Sequence, residues 1–65
     1  MWFTLQFEDE QELQRCIQLL QKRYRVTGEL SARRLDDGRW ELQVVSERRL
    51  RESVLERLPG QRVED

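Results

Sequence analysis

The chain has 65 residues, of which 37% are hydrophobic and 38% charged, and its formal net charge at pH 7 is −1. This length allows one domain with a thin core, and the near-zero net charge gives no global attraction to nucleic acid or anionic lipid. The single cysteine, Cys16, excludes an intramolecular disulfide, and the absence of histidine removes the commonest general base and metal ligand.

The first third of the chain predicts a strand followed by a helix. Hydrophobic and polar residues alternate over 1–7, which is typical of a half-buried strand. Over 9–23 the hydrophobic residues follow helical spacing, and Asp9 with Glu12 three positions later resembles a capping box.

A β-hairpin is predicted next, from strands over 25–35 and 39–46. Residues 36–38, Asp-Asp-Gly, suit a three-residue loop that ends on a glycine in the left-handed conformation. This loop sets Arg33 opposite Glu41 and keeps the hydrophobic residues of both strands on one face. A two-residue loop would mix the core and solvent faces, so we reject that register.

The last third of the chain predicts a second helix over 47–58, with Ser46 as its N-cap and a Pro-Gly pair as its stop. Residues 61–65 are predicted as a tail or a short strand. Gly28, inside the second predicted strand, is expected to mark a β-bulge or a close approach of the first helix.

This order of elements predicts a single α+β domain over residues 1–65, a two-layer sandwich of the ferredoxin-like type. Right-handed crossovers would place the third strand between the first and second, in an antiparallel sheet with both helices on one face. The other face of this sheet, whether it has three strands or four, is left uncovered.

The uncovered sheet face is a candidate surface for self-association. Its predicted residues are polar apart from one aromatic anchor, and two of them form a cross-strand pair of opposite charge. RNA-recognition sheets stack bases on aromatic residues of their central strands, so RNA binding by this face is not expected. The alternative interpretation is a solvated face. The candidate residues are Trp2, Thr4, Arg33 and Glu41.

Arginine accounts for eleven of the twelve basic residues. The predicted topology brings the end of the first helix and the start of the second to one edge of the sheet, here called the basic edge. Such an edge would bind phosphate groups or an acidic surface of a partner. The alternative is a set of solvated charges that meet nearby acids. Its residues are Lys22, Arg23, Arg25, Arg48, Arg49 and Arg51.

Other residues that could carry chemistry have simpler structural explanations. Cys16 lies on the apolar stripe of the first helix, where a cysteine is a small core residue. The acids of 8–12 could be read as a magnesium site, but they also suit the first turn of a helix. Asp36 and Asp37 could be paired carboxylates for acid and base chemistry, but aspartate is typical of tight turns.

The sequence therefore predicts no enzyme, no cofactor and no metal site. The expected function is that of a small, non-catalytic interaction or regulatory module that associates with itself or with another protein. The alternative is binding of an anion or nucleic acid through the basic edge. Because no basic leader and no apolar run of membrane length is visible, we expect a cytoplasmic protein without membrane contact.

Overall fold

The computed structural model describes residues 1–63, which form an α+β domain with a four-stranded antiparallel sheet and two α-helices. The strands are β1 (Trp2–Phe7), β2 (Leu30–Arg34), β3 (Trp40–Val45) and β4 (Gln61–Val63). Helix α1 (Glu10–Gln18) continues into a π-helical turn (Leu19–Arg23), and helix α2 (Glu52–Arg57) lies between β3 and β4. The strand order across the sheet is β2-β3-β1-β4.

The hairpin of β2 and β3 has the predicted register. Arg33 lies opposite Glu41, as the three-residue loop requires. Gly38 has a φ of 90°, and its N–H donates to the carbonyl of Leu35 at 3.0 Å. The N–H of Leu35 donates in turn to the carbonyl of Arg39 at 2.7 Å, which closes the loop.

One core joins the sheet to both helices. Its strand members occupy alternating positions, so they share one face of the sheet, and residues of α1 and α2 pack on that face. The buried members of this core are Phe3, Leu5, Phe7, Leu13, Cys16, Leu20, Val26, Leu42, Val44, Leu55 and Leu58. The opposite face of the sheet carries no helix among the described residues.

Both ends of the first helix follow from local hydrogen bonding. The carboxylate of Asp9 accepts from the N–H of Glu12 at 2.9 Å, which is the predicted N-cap. At the other end Arg25 adopts a φ of 50°, and the N–H of Val26 donates to the carbonyl of Leu20 at 2.8 Å. A residue in the left-handed conformation commonly ends a helix in this way.

The strand predicted over 25–35 is too long at its start, since β2 begins only at Leu30. Val26 instead hydrogen-bonds to the end of the first helix, and Gly28 lies against the end of β3. A Cβ built on Gly28 would lie 1.5 Å from the carbonyl oxygen of Val45. The close approach at this glycine is therefore to β3, and the expected approach of the first helix is wrong.

The helix predicted over 47–58 is also too long, and Ser46 is not its cap. The N–H of Ser46 donates to the carbonyl of Met1 at 2.8 Å, and the nitrogen of Met1 donates to the carbonyl of Ser46 at 2.7 Å. The hydroxyl of Ser46 donates to the carbonyl of Arg48 at 2.6 Å. These bonds extend the pairing beyond the end of β3, so the chain turns into α2 only after Arg51.

The segment predicted as a tail or a short strand contains β4, which pairs with β1 and places Val63 opposite Thr4. The last two residues of the predicted segment, 64 and 65, lie outside the described part of the chain. The sheet is thereby extended beyond the three strands that the hydrophobic pattern required.

Candidate functional site

The sheet face that turns away from the helices is here called the open face. Alternation along the strands and the pairing register assign its residues. They are Trp2, Thr4, Gln6, Ser31, Arg33, Glu41, Gln43, Val45, Gln61 and Val63. All four candidate self-association residues therefore lie on one face.

Two exposed hydrophobic residues lie side by side on the open face. Trp2 is 61% exposed and Val45 is 44% exposed, and these are the exposed large hydrophobic residues among 1–63. They are direct cross-strand partners in β1 and β3. Sequence reasoning singled out Trp2 but missed Val45, although Val45 follows Gln43 by two positions in the same strand. The alternation that placed Gln43 on this face would also have placed Val45 there.

A shallow hollow of about 540 Å³ lies on the same face, and Trp2 is one of the residues that line it. Within it the Nε of Arg33 donates to the Oε1 of Glu41 at 3.0 Å. The Glu41 side chain is only 10% exposed because β3 lies inside the sheet, whereas the Arg33 side chain on the edge strand is 69% exposed. The buried carboxylate thus holds an accessible guanidinium on the open face. The polar and hydrophobic side chains around the hollow include those of Thr4, Gln43 and Val63.

Part of the basic edge is used to hold the fold together. The Nη2 of Arg48 donates to the carbonyl of Tyr24 at 2.7 Å and to that of Arg25 at 3.5 Å. Arg23 lies over the ring of Tyr24, 6.0 Å from its centroid. The end of the π-helical turn and the loop before α2 are therefore in contact. The guanidinium of Arg48 is committed to this contact, which leaves it less suited to binding a ligand.

Two other residues of the basic edge line a second hollow, of about 340 Å³, together with a residue of β4. We call this the arginine hollow, and its three arginines are Arg49, Arg51 and Arg62. The Nη1 of Arg62 lies 3.3 Å from the Oε2 of Glu52, at the start of α2. Sequence reasoning missed Arg62 because its position depends on the pairing of β4 with β1. No periodic signal of its own marks this three-residue strand.

Cys16 is a core residue. It is fully buried, and loss of solvation raises the pKa of its thiol to about 12. At neutral pH the thiol is therefore protonated, and it lacks the thiolate that acts as a nucleophile or metal ligand.

Three acidic side chains, those of Glu8, Asp9 and Asp37, make local contacts. The carboxylate of Asp9 caps the helix, while Arg39 lies 3.8 Å from a carboxylate oxygen of Glu8 and 3.7 Å from one of Asp37. Asp37 also accepts from the N–H of Arg39 at 3.0 Å. Within residues 1–63, no group of three or more His, Cys, Asp or Glu side chains is placed to hold a metal ion.

The candidate sites are thus the open face and the arginine hollow.

Across residues 1–63 no helix has the length and apolar character needed to cross a membrane. Comparison with family models, with curated proteins and with solved structures finds no match for this chain.

Proposed function

We propose that this protein is a non-catalytic interaction module that binds a second copy of itself through the open face. The observation that carries the proposal is the exposed pair of Trp2 and Val45 on a face that no helix of residues 1–63 covers. Tryptophan is among the residues that contribute most to binding energy at protein interfaces. A surface-exposed tryptophan beside an exposed β-branched residue supports contact with a partner.

The layout of the open face favours a second copy as the partner. Trp2 is 61% exposed on the open face, and it lines one side of a hollow that Arg33 and Glu41 also line. In a two-fold dimer each surface meets its own counterpart, so one face must carry both complementary features. The tryptophan of one copy would fill the hollow of the other, where the accessible guanidinium of Arg33 could contact the indole ring through a cation–π interaction.

The size of this surface limits the expected affinity. Among residues 1–63 its exposed large hydrophobic residues are Trp2 and Val45, while Val63 is half-buried and the other residues of the face are polar or charged. Small interfaces of mixed polarity are usually transient, because the gain from hydrophobic burial barely exceeds the entropy lost on association. We expect a dissociation constant on the order of micromolar or weaker.

Sedimentation equilibrium over a hundredfold range of protein concentration tests the proposal. The wild-type protein should approach twice its monomer mass of 8.0 kDa at the upper end of the range. Trp2→Ala should remain monomeric over the same range. Gln14→Ala, at an exposed position of α1 on the opposite side of the sheet, is the control and should behave as the wild type.

Circular dichroism melts of all three proteins show whether Trp2→Ala still folds. A wild-type protein that is monomeric throughout the range would reject self-association. A folded Trp2→Ala variant that associates as strongly as the wild type would reject the open face as the interface.

We also propose that the fold is of the ferredoxin-like type. Two features of the strand order support this class. Helix α1 connects β1 to β2, and β3 lies between these two strands. Strand β4 lies beside β1. Packing of both helices against one sheet face supports it further.

A further inference from the structure

We infer that the arginine hollow is a binding site for a phosphate group carried by a small molecule. The site lies where the loop 46–51 meets β4, and its lining comprises Met1, Arg49, Leu50, Arg51, Glu52 and Arg62. The inference does not depend on self-association, because a monomer contains the whole hollow.

Charge is the first argument. The lining residues include three arginines and one glutamate, whose side chains together carry an excess of two positive charges. Arg62 is paired with Glu52, but no ion pair or side-chain hydrogen bond of Arg49 or Arg51 is found within residues 1–63. Like charges held in one hollow repel each other, and an anion bound among them removes that repulsion.

The second argument is that hydrogen bonds restrain the backbone of the loop that carries Arg49 and Arg51. Reciprocal backbone hydrogen bonds join Met1 to Ser46, and the N–H of Leu50 lies 3.3 Å from the sulfur of Met1. Arg48, in the same loop, donates a side-chain hydrogen bond to the carbonyl of Tyr24. A ligand therefore meets a loop that is already positioned, so less conformational entropy is lost on binding.

Chemistry and size select the ligand class. The planar guanidinium group of arginine donates paired hydrogen bonds to phosphate oxygens. A volume of about 340 Å³ falls at the lower end of the range for small-molecule sites. In the described part of the chain no aromatic side chain lines the hollow, whereas sites for single-stranded nucleic acid usually stack bases on aromatic rings. These features favour a compact phosphorylated molecule over a nucleic acid.

Titration with pyrophosphate, followed by ¹⁵N–¹H NMR at constant ionic strength, tests this inference. We expect saturable shifts of the amides of residues 49–52 and 62. The double variant Arg49→Gln with Arg51→Gln should bind at least tenfold more weakly. The double variant Arg15→Gln with Arg57→Gln removes the same charge from exposed positions outside the hollow and should bind as the wild type does.

The same spectra show whether each variant is folded. Equal weakening in both double variants would overturn the inference, because it would reveal a general response to net charge. Absence of saturable pyrophosphate shifts would also overturn the inference. Binding of a single-stranded oligonucleotide without binding of pyrophosphate would overturn it too. Sedimentation of the same samples separates this result from self-association, since a monomer that binds pyrophosphate supports the hollow and contradicts only the dimer.

Discussion

The two ends of the sheet are held together by different kinds of contact. At one end, here called the turn end, β1 leads into α1 and β2 turns into β3. The carboxylate of Asp9 bonds to an N–H three positions later, and that of Asp37 to an N–H two positions later. Each bond closes within its own turn, so neither needs the rest of the fold to form.

At the other end, here called the loop end, the contacts join residues that are far apart in the chain. Met1 bonds to Ser46 across 45 positions, and Arg48 bonds to Tyr24 across 24 positions. Gly28 fits against the carbonyl of Val45 only because it has no side chain. These contacts form only when β1, α1 and β3 are already in place.

This difference bears on function as well as on folding. At the turn end Glu8, Asp9 and Asp37 are engaged in local caps and ion pairs, whereas the arginine hollow is built from the loop end and β4. A site made from distant segments exists only in the folded molecule. Changes that loosen the loop end should therefore affect ligand binding more than changes at the turn end.

The strongest test compares two glycines, one at each end. Gly28→Ala places a methyl group 1.5 Å from a backbone oxygen, so the end of β3 must move. Gly38→Ala meets no atom within 4 Å but must keep a φ of 90°. We expect Gly28→Ala to lower the free energy of unfolding by more than about 3 kcal/mol and Gly38→Ala by about 1 kcal/mol. Urea denaturation measures both.

Equal losses for the two glycine variants would contradict the comparison. They would mean that conformational preference alone, and not contact between distant segments, sets the requirement for glycine. Far-UV circular dichroism should accompany the urea curves, since Gly28→Ala has the greater chance of preventing folding. Complete loss of structure in that variant alone agrees with the expected order.

A second prediction concerns Cys16 in α1, the helix that connects the two ends. Burial raises the pKa of its thiol from 9.0 to about 12, so the unfolded chain loses this proton first as the pH rises. The contribution of Cys16 to stability should be constant below pH 9. Between pH 9 and 12 it should fall by roughly 1 kcal/mol per pH unit.

Urea denaturation of the wild type and of Cys16→Ala at several pH values from 7 to 11 tests this effect. The two proteins differ only at residue 16, so the contributions of all other residues cancel in the difference between the two unfolding free energies. That difference should narrow above pH 9. A difference that stays constant to pH 11 would show that the thiol is not protected by the core.

The contrast between the ends also explains which structural elements could be predicted from the sequence. The register of β2 and β3 was predictable because the turn at 36–38 contains its own information, an acid pair and a left-handed glycine. Asp9 was predictable as a cap for the same reason. The residue type of Ser46 predicts a helix cap, but the backbone of Met1 pairs with it instead. Nothing near Ser46 in the sequence reveals that partner.

The candidate sites follow the same division. Trp2, Thr4, Arg33 and Glu41 could be placed on one face from alternation and one turn. The arginine hollow could be predicted only in part, since Arg62 enters it through β4, whose short pairing with β1 leaves no clear pattern in the sequence.

The smallest predicted effect separates the ends most directly. Asp9→Ala and Ser46→Ala each remove one side-chain hydrogen bond, and each should cost about 1 kcal/mol of unfolding free energy. Native-state hydrogen exchange should nevertheless distinguish them. Asp9→Ala should speed exchange at Glu12 and leave the loop end unchanged, because a helix cap acts within one turn. Ser46→Ala should speed exchange at Ser46 and also at Leu50, since the reciprocal bonds to Met1 and the loop that follows them depend on one another. Faster exchange at Ser46 alone would mean that the hydrogen bonds of the loop end form independently of one another, as those of the turn end do. The arginine hollow would then be expected to survive changes anywhere else in the loop.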